Sequence, residues 1–326
     1  MKKVILTVLF LLVTAPACLS AEQEPNIDSM SLPEYVEYCE KLPWEGEFTS
    51  DYGITYQYKK YPRWVDVSKA VPEQFPVNYK ASPLYCFIAH YAIIMQPSVT
   101  EEQQKQVFGF YKDLPLFKKF MAEQFPDIQD EAALLKRWRK ENLQKWCVGE
   151  VRSGNRSVIL SITAGQTPSP RVSNHDIMPS FFCEENGRIF WEGDFNQELF
   201  QKIMLDVTSS LFHAGEPLYK AFYIENKKYP SIPRWRCWCN KDRTKATLAE
   251  LVKIDDRTIT LKKYEDKKRV QVKIEDLYIE DQFLLERLWE ESEENKATNK
   301  SKTKKVNSSK RSKKKTKEAE AESHED

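Results

Sequence analysis

The sequence predicts an α+β protein with a larger body of helices and strands over residues 30–225 and a small β-barrel over 232–289. Three observations predict this organisation. Apolar residues follow a helical period through the middle of the chain, alternate at the two-residue period of strands after Val148, and alternate again in short stretches after Ala246. With 41% hydrophobic residues among 326, the chain can bury a core in about two domains.

Residues 1–21 are predicted to be a secretory signal peptide. Two lysines precede the apolar run VILTVLFLLV, which is too short to span a bilayer, and small residues follow. We therefore expect an exported protein, located in the periplasm, the envelope or the exterior, with no transmembrane segment in the mature chain. Cleavage before Glu22 would release a soluble product, which we favour over a lipid anchor on Cys18.

The first half of the body is predicted to be mostly helical. SLPEYVEYCEKLPW reads as a short helix with Ser31 as N-cap and Glu34 at the capping-box position. Residues 53–67 alternate and favour strands interrupted at Pro62. Capping residues and proline breaks then predict helices in LYCFIAHYAIIM, after Thr100, at 115–125 and at 129–146.

The second half of the body is predicted to be a sheet followed by a helix. SVILSIT, HDIMPSFFC and RIFWEGDF read as strands, and the turn EENG with Gly187 predicts a hairpin between the last two. Residues 196–212 return to helical spacing, and AFYIENKKYPSIP reads as a strand and a linker.

The end of the chain is predicted to be a disordered charged tail at 290–326. Residues 296–317 hold 11 Lys and Arg and no acid, whereas 318–326 hold five acids. The lysine-rich part predicts binding to a polyanion or an anionic surface. Without the signal peptide and this tail the protein is mildly acidic, so no specific nucleic-acid partner is expected.

The residues from Arg234 to Leu288 predict a small β-barrel closed by a helix. Short apolar alternations are separated by the polar turns DDR and EDK, and Glu280 and Asp281 begin the helix. Arg234-Trp235, AELV, DDRTITLKK, VQVKIEDL and Asp281 resemble the SLA-one homology domain, a small SH3-like module. The resemblance implies a binding module that takes a short peptide of a protein partner along its β surface.

Four basic residues are the candidates for contact with an acidic peptide: Lys262, Lys263, Lys268 and Arg269. The alternative is that they form an ordinary solvated strand face. Our leading hypothesis is an exported binding or scaffold protein whose C-terminal module engages a peptide segment of a partner.

A second hypothesis makes the body a cysteine peptidase, active or degenerate, with the barrel as a targeting module. Cys86 opens an apolar helix whose dipole would favour thiolate, His175 opens a strand, and Asp194 lies on the returning strand. SPLYCFIAHYAIIM and NHDIMPSFFCEENGRIFWEGDF resemble the bacteriocin-processing branch of the papain-like peptidases. The alternative is a buried Cys86 thiol, with His175 and Asp194 in a loop and a turn.

Six cysteines remain in the mature chain: Cys39, Cys86, Cys147, Cys183, Cys237 and Cys239. An exported protein permits disulfides, but six cysteines allow 15 pairings, and buried free thiols stay open as the alternative. Cys237 and Cys239 lack further ligands at zinc spacing, so we predict neither a metal site nor a cofactor.

Overall fold

The computed structural model describes residues 25–124, 126–128, 130–141, 144–164, 177–192, 198–213 and 215–293. These residues form an α+β fold built on two antiparallel sheets, in agreement with the predicted fold class. The predicted signal peptide and nearly all of the predicted tail lie outside the described residues.

The first sheet has six strands and is interrupted in sequence by four helices. Its order along the chain is α1 (Leu32–Lys41), β1 (Gly46–Thr49), β2 (Thr55–Asp66), α2 (Pro83–Ile94), α3 (Glu101–Phe108), α4 (Leu114–Gln124), α5 (Glu131–Glu141), β3 (Gln144–Ser153), β4 (Arg156–Ala164), β5 (Ile177–Glu185) and β6 (Arg188–Trp191). Two helices follow, α6 (Glu198–Phe212) and α7 (Pro217–Phe222). The strands lie in sequential order, each antiparallel to its neighbour.

The central strands β3 and β4 are buried on both faces, so the first sheet is the middle of three layers. Ile159 points into a core shared with α1 and α2, whereas its neighbours Val158 and Leu160 point into a core on the other face. That second core includes Val207 of α6, Leu218 of α7 and residues of the second sheet.

Several local features agree with the sequence predictions. The backbone N–H of Ser31 donates to Glu34 Oε2 at 2.8 Å, which is half of the predicted capping box. The hairpin between β5 and β6 turns at Asn186 and Gly187, whose φ angles are +53° and +69°. Two successive positive φ angles are what a type I′ turn requires, which explains the glycine.

Two element predictions are wrong. The helix predicted at 129–146 ends at Glu141, because Lys145 and Trp146 are buried as part of β3. The strand predicted at AFYI is absent, and α7 occupies part of it instead. Leu218 and Phe222 lie four residues apart, and a helix turns both toward the sheet where they are buried.

The second sheet comprises β7 (Arg236–Cys239), β8 (Ala246–Ile254), β9 (Thr258–Lys263) and β10 (Arg269–Lys273), followed by α8 over 279–293. The closed barrel that the sequence predicts is not found in the described residues. The order is β10-β9-β8-β7, so β7 and β10 are opposite edges of an open sheet. After β10 the chain returns to β7 only through an isolated bridge between Leu277 and Asn240.

A buried ion pair fastens α8 to the second sheet. Asp281 lies in the first turn of α8 and accepts from Arg236 Nη2 at 2.5 Å and from the Cys239 N–H at 3.2 Å. Both charged side chains are 5% exposed. Leu285 and Leu288 continue along α8 and pack with Trp238 and Leu261. The pair therefore sets the position of the helix that covers this sheet.

We expect Asp281→Ala to lower the free energy of unfolding by about 3–5 kcal/mol, because it leaves the Arg236 guanidinium buried without its carboxylate. Urea unfolding followed by circular dichroism measures this. The matched control is Glu275→Gln, which removes the exposed partner of Lys273 and should change stability by less than about 1 kcal/mol. Equal effects of the two substitutions would contradict this role for Asp281.

Candidate functional site

The second sheet has two different faces. The helix-side face carries Trp238, Leu251 and Leu261 and packs against α8. The body-side face carries Cys237, Cys239 and Leu248, which are buried in the core shared with the first sheet. Because side chains alternate along each strand, the body-side face continues over β9 and β10 as polar residues: Thr258, Thr260, Lys262, Arg269, Gln271 and Lys273. Half of the body-side face is thus covered by the body, and the other half meets solvent.

The four basic residues predicted to contact a peptide divide into two pairs on opposite faces. Lys262 and Arg269 lie directly opposite each other on the body-side face. Lys263 and Lys268 belong to the helix-side face, and their backbones are joined by a hydrogen bond from Lys263 N to Lys268 O of 2.9 Å. The structure therefore brings together only two of the four in any one patch.

Lys262 and Arg269 form a close like-charge pair. The neighbouring Lys263–Lys268 pair is hydrogen-bonded, so Lys262 and Arg269 occupy a non-hydrogen-bonded position, where opposed Cα atoms are only about 4.5 Å apart. Within the described part of the chain, neither cation has a carboxylate oxygen within 4.0 Å. Nearby cations do have one, such as Lys253 with Asp255 at 2.5 Å. The pair is therefore positive and makes no direct ion pair, although Glu250 of β8, the partner of Arg234, stands opposite Lys262 in the strand register.

Aromatic rings and two further cations adjoin this pair. Lys267 Nζ lies 4.3 Å from the ring centroid of Tyr264 and 5.2 Å from that of Trp235. The Cζ atom of Arg234 also lies over the Trp235 ring, 5.1 Å from its centroid, and Arg234 Nε pairs with Glu250 Oε2 at 3.3 Å. Partial burial lowers the pKa of Lys267, the carboxylate of Asp28 opposes this, and the charges of Lys262 and Arg234 add to the lowering. Sequence reasoning missed Lys267, because only the fold brings it over Trp235.

The hairpin that carries these cations is fastened to the body. Tyr264, in the turn between β9 and β10, accepts a hydrogen bond from the Trp64 N–H at 2.7 Å, and the two rings stack with centroids 5.2 Å apart. Glu265 in the same turn pairs with Lys69. We call these contacts the seam. They connect the exposed half of the body-side face to strand β2 and the residues that follow it.

The predicted nucleophile Cys86 is a buried thiol. It lies in the first turn of α2, as predicted, and its sulfur donates to the carbonyl oxygen of Asn78 at 3.3 Å. Burial raises its pKa to about 12, and the carboxylate of Glu40 adds to this. Desolvation therefore opposes the thiolate that the start of the helix was expected to favour.

His175 and Asp194, the other two predicted catalytic residues, lie outside the described residues. The structure does place the strand that follows His175. That strand begins at Ile177, which pairs with Ile162 near the end of β4. The assembly of Cys86 with His175 and Asp194 stays a prediction.

Helix α2 runs along the first sheet with its start and its last turns near different ends of β4. Pro83 at its start lines a small cleft with Ser157 at the beginning of β4. Further along, the Tyr91 ring lies 4.6 Å from Lys145 Nζ, which donates to Thr163 near the end of β4. Cys86, in the first turn of α2, is therefore at the end of the helix farther from the start of β5.

His90, one turn after Cys86, is a core residue. It is 1% exposed, and its ring lies among aromatic rings, the nearest being Trp191 with centroids 4.7 Å apart. Burial lowers its pKa to about 3, and the charge of Lys145 contributes. It is therefore neutral at neutral pH.

Glu150, which lines the cleft beside Pro83, belongs to a buried ion pair with a structural role. Glu150 lies 3.4 Å from Lys59 Nζ, and both side chains are nearly inaccessible. Lys59 also donates to the carbonyl oxygens of Cys39 and Glu40 at the end of α1, at 3.1 and 3.2 Å. Burial raises the pKa of Glu150, and Lys59 opposes that rise. The pair fastens α1 to the first sheet.

The six cysteines of the described chain are all buried free thiols, which decides between the two alternatives that the sequence left open. Among the described residues no group of three His, Cys, Asp or Glu side chains could hold a metal ion. None of the helices that the structure describes is long and apolar enough to cross a bilayer.

Comparisons with protein-family models, with curated proteins and with solved structures found no match to this chain. The resemblances to the SLA-one homology domain and to papain-like peptidases therefore remain predictions from the sequence.

We expect Cys86 to resist alkylation in the folded protein. With a pKa of about 12, on the order of one thiol in 10⁵ is ionised at pH 7. Mass spectrometry after treatment with iodoacetamide should find Cys86 unmodified in native buffer and modified in urea. Native labelling that disappears in His175→Ala would instead support the peptidase hypothesis.

We expect the stability of the protein to fall in acid because His90 is buried in its neutral form. Its pKa falls from 6.5 to about 3 on folding, so this contribution is complete above pH 6.5 and is lost progressively as the pH falls toward 3. When the pH is lowered from 7.5 to 4.5, the free energy of unfolding measured in urea should fall by about 2–3 kcal/mol more for the native chain than for His90→Leu. Equal losses in the two proteins would contradict the assignment.

Proposed function

We propose that this chain is an exported binding protein whose second sheet binds an acidic peptide segment of a partner protein. The observation that carries the proposal is the pair of Lys262 and Arg269 on the exposed half of the body-side face, neither of which makes a direct ion pair in the described part of the chain. The site is a surface for contact, and no chemical step is assigned to it.

The like-charge pair supports a binding role because it opposes folding. Like charges directly opposite on neighbouring strands are destabilising, and a neutral residue or a carboxylate at either position would relieve the repulsion. Residues that destabilise the fold locally are concentrated at functional sites. An anionic ligand that bridges Lys262 and Arg269 would remove the repulsion and gain two charge-assisted contacts.

The surroundings support a peptide rather than a larger polyanion. Lys267 and Trp235 add a cation and an aromatic surface beside the pair, which suits a ligand with both carboxylates and apolar groups. Residues 22–295 contain 37 basic and 44 acidic residues, so the positive patch is local and the mature body as a whole is acidic. A long polyanion would be repelled outside the patch.

The chain offers a matched pair of variants to test this proposal. Lys262→Glu with Arg269→Glu reverses the charge of the body-side pair, whereas Lys263→Glu with Lys268→Glu makes the same change on the helix-side face. We expect peptides selected by display on the full mature chain to be rich in Asp and Glu. The first double variant should weaken their binding at least tenfold in fluorescence anisotropy, and the second by less than threefold.

The proposal requires capture of acidic peptides and dependence on the body-side pair. A selection that yields no binder, or binders without acidic residues, would overturn it. Equal weakening by the two double variants would show that only overall charge matters, which also contradicts a site at Lys262 and Arg269. The whole mature chain is used because the second sheet shares a core with the body.

A further inference from the structure

Strand β10 is a free edge of the second sheet. It pairs with β9 on one side, and within the described part of the chain no strand pairs with its other side. Lys268 O accepts from Lys263 N, and Ile274 N donates to Arg257 O, so residues of even number direct their backbone groups toward β9. The N–H and C=O groups of Arg269, Gln271 and Lys273 therefore point outward.

The side chains along this edge divide into a cationic and an apolar row. Arg269 and Lys273 are exposed on the body-side face, four residues and about 13 Å apart. Val270 and Val272 are partly buried on the helix-side face, at the margin of the core that includes Leu261. An added strand would meet positive charge on one face and apolar surface on the other.

We propose that the partner segment binds as an extended strand added to the edge of β10, and that it alternates acidic and apolar residues. This inference rests on the proposed function and specifies how the peptide is held. The backbone of the segment would pair with Arg269, Gln271 and Lys273, in the manner of β-strand addition. Its acidic side chains would lie beside Arg269 and Lys273, and its apolar side chains would extend the surface of Val270 and Val272.

Charge opposes a second copy of this chain as the occupant of the edge. In an antiparallel pair of two β10 strands centred on Gln271, each Arg269 would lie opposite Lys273 of the other copy. Like charges opposite each other destabilise such a pair, and charged residues on edge strands are a common protection against self-association. An acidic strand turns the same charges into attraction.

Arg269 is the stronger of the two expected anchors. Lys273 already has a carboxylate of Glu275 at 3.4 Å, whereas Arg269 has none within 4.0 Å in the part of the chain that the structure describes. Arg269 also has Lys262 beside it, so a carboxylate at this end of the edge is attracted by two cations. We expect the acidic residue opposite Arg269 to contribute most to affinity.

A proline at position 271 tests the added strand. The N–H of Gln271 points away from β9, so Gln271→Pro removes an outward donor while leaving the β9–β10 ladder intact. The control Gln271→Ala keeps the donor. The probe is a fluorescein-labelled heptapeptide, Glu-Val-Glu-Thr-Glu-Val-Glu, titrated with the full mature chain. We expect Gln271→Pro to weaken binding at least tenfold and Gln271→Ala less than twofold, with circular dichroism confirming that each variant is folded.

A modified probe provides a second test that does not depend on the folding of a variant. In an added strand only alternate N–H groups face β10, so methylating one alternate set of probe nitrogens should abolish binding and methylating the other set should preserve it. Strand addition would be overturned if both methylated probes bound the native chain equally well and Gln271→Pro bound the unmodified probe as well as the native chain does. If that binding still required Lys262 and Arg269, the proposed function would stand. If the probe binds neither the native chain nor the variants, the proposal of an added strand with alternating acidic and apolar residues is overturned. The display selection tests the proposed binding of acidic peptides independently of this result.

Discussion

The structure depends on the burial of β3 and β4 on both faces. A strand pair buried on both faces needs a layer of packing on each, and α1 and α2 supply one layer. The other layer is shared between α6, α7 and the second sheet, whose Cys237 and Leu248 lie in the same core as Val158 and Leu160. The second sheet therefore completes the core of the body as well as presenting a surface of its own.

This shared core decides which part of the second sheet can meet a partner. The body covers β7 and β8 on one face, and α8 covers the other face, where Asp281 holds it to Arg236. The exposed remainder is the polar side of β9 and β10 together with the free edge of β10. The cations of the proposed site lie in this remainder, so the packing that stabilises the fold also limits the binding surface to one hairpin.

The sequence predicted local structure well where short-range physics decides it. The capping residues of α1 and the Asn-Gly turn before β6 identify their elements without tertiary contacts. It failed where tertiary packing decides: Lys145 and Trp146 continue a helical pattern yet belong to β3, and the end of α7 was predicted to be the start of a strand. The four candidate site residues were predicted from their positive charge. Only the strand register determines that Lys262 lies opposite Arg269 while Lys263 lies on the other face of the sheet.

The seam between Tyr264 and Trp64 has a consequence for the entropy of binding. A β-hairpin that projects freely must be ordered when it takes a ligand, and that ordering weakens affinity. Here the turn of the hairpin is held by a hydrogen bond and a ring stack to β2, and the Lys69–Glu265 pair adds to them. The body thereby preorganises the hairpin backbone, so that only the bound segment and the side chains that contact it would lose conformational freedom.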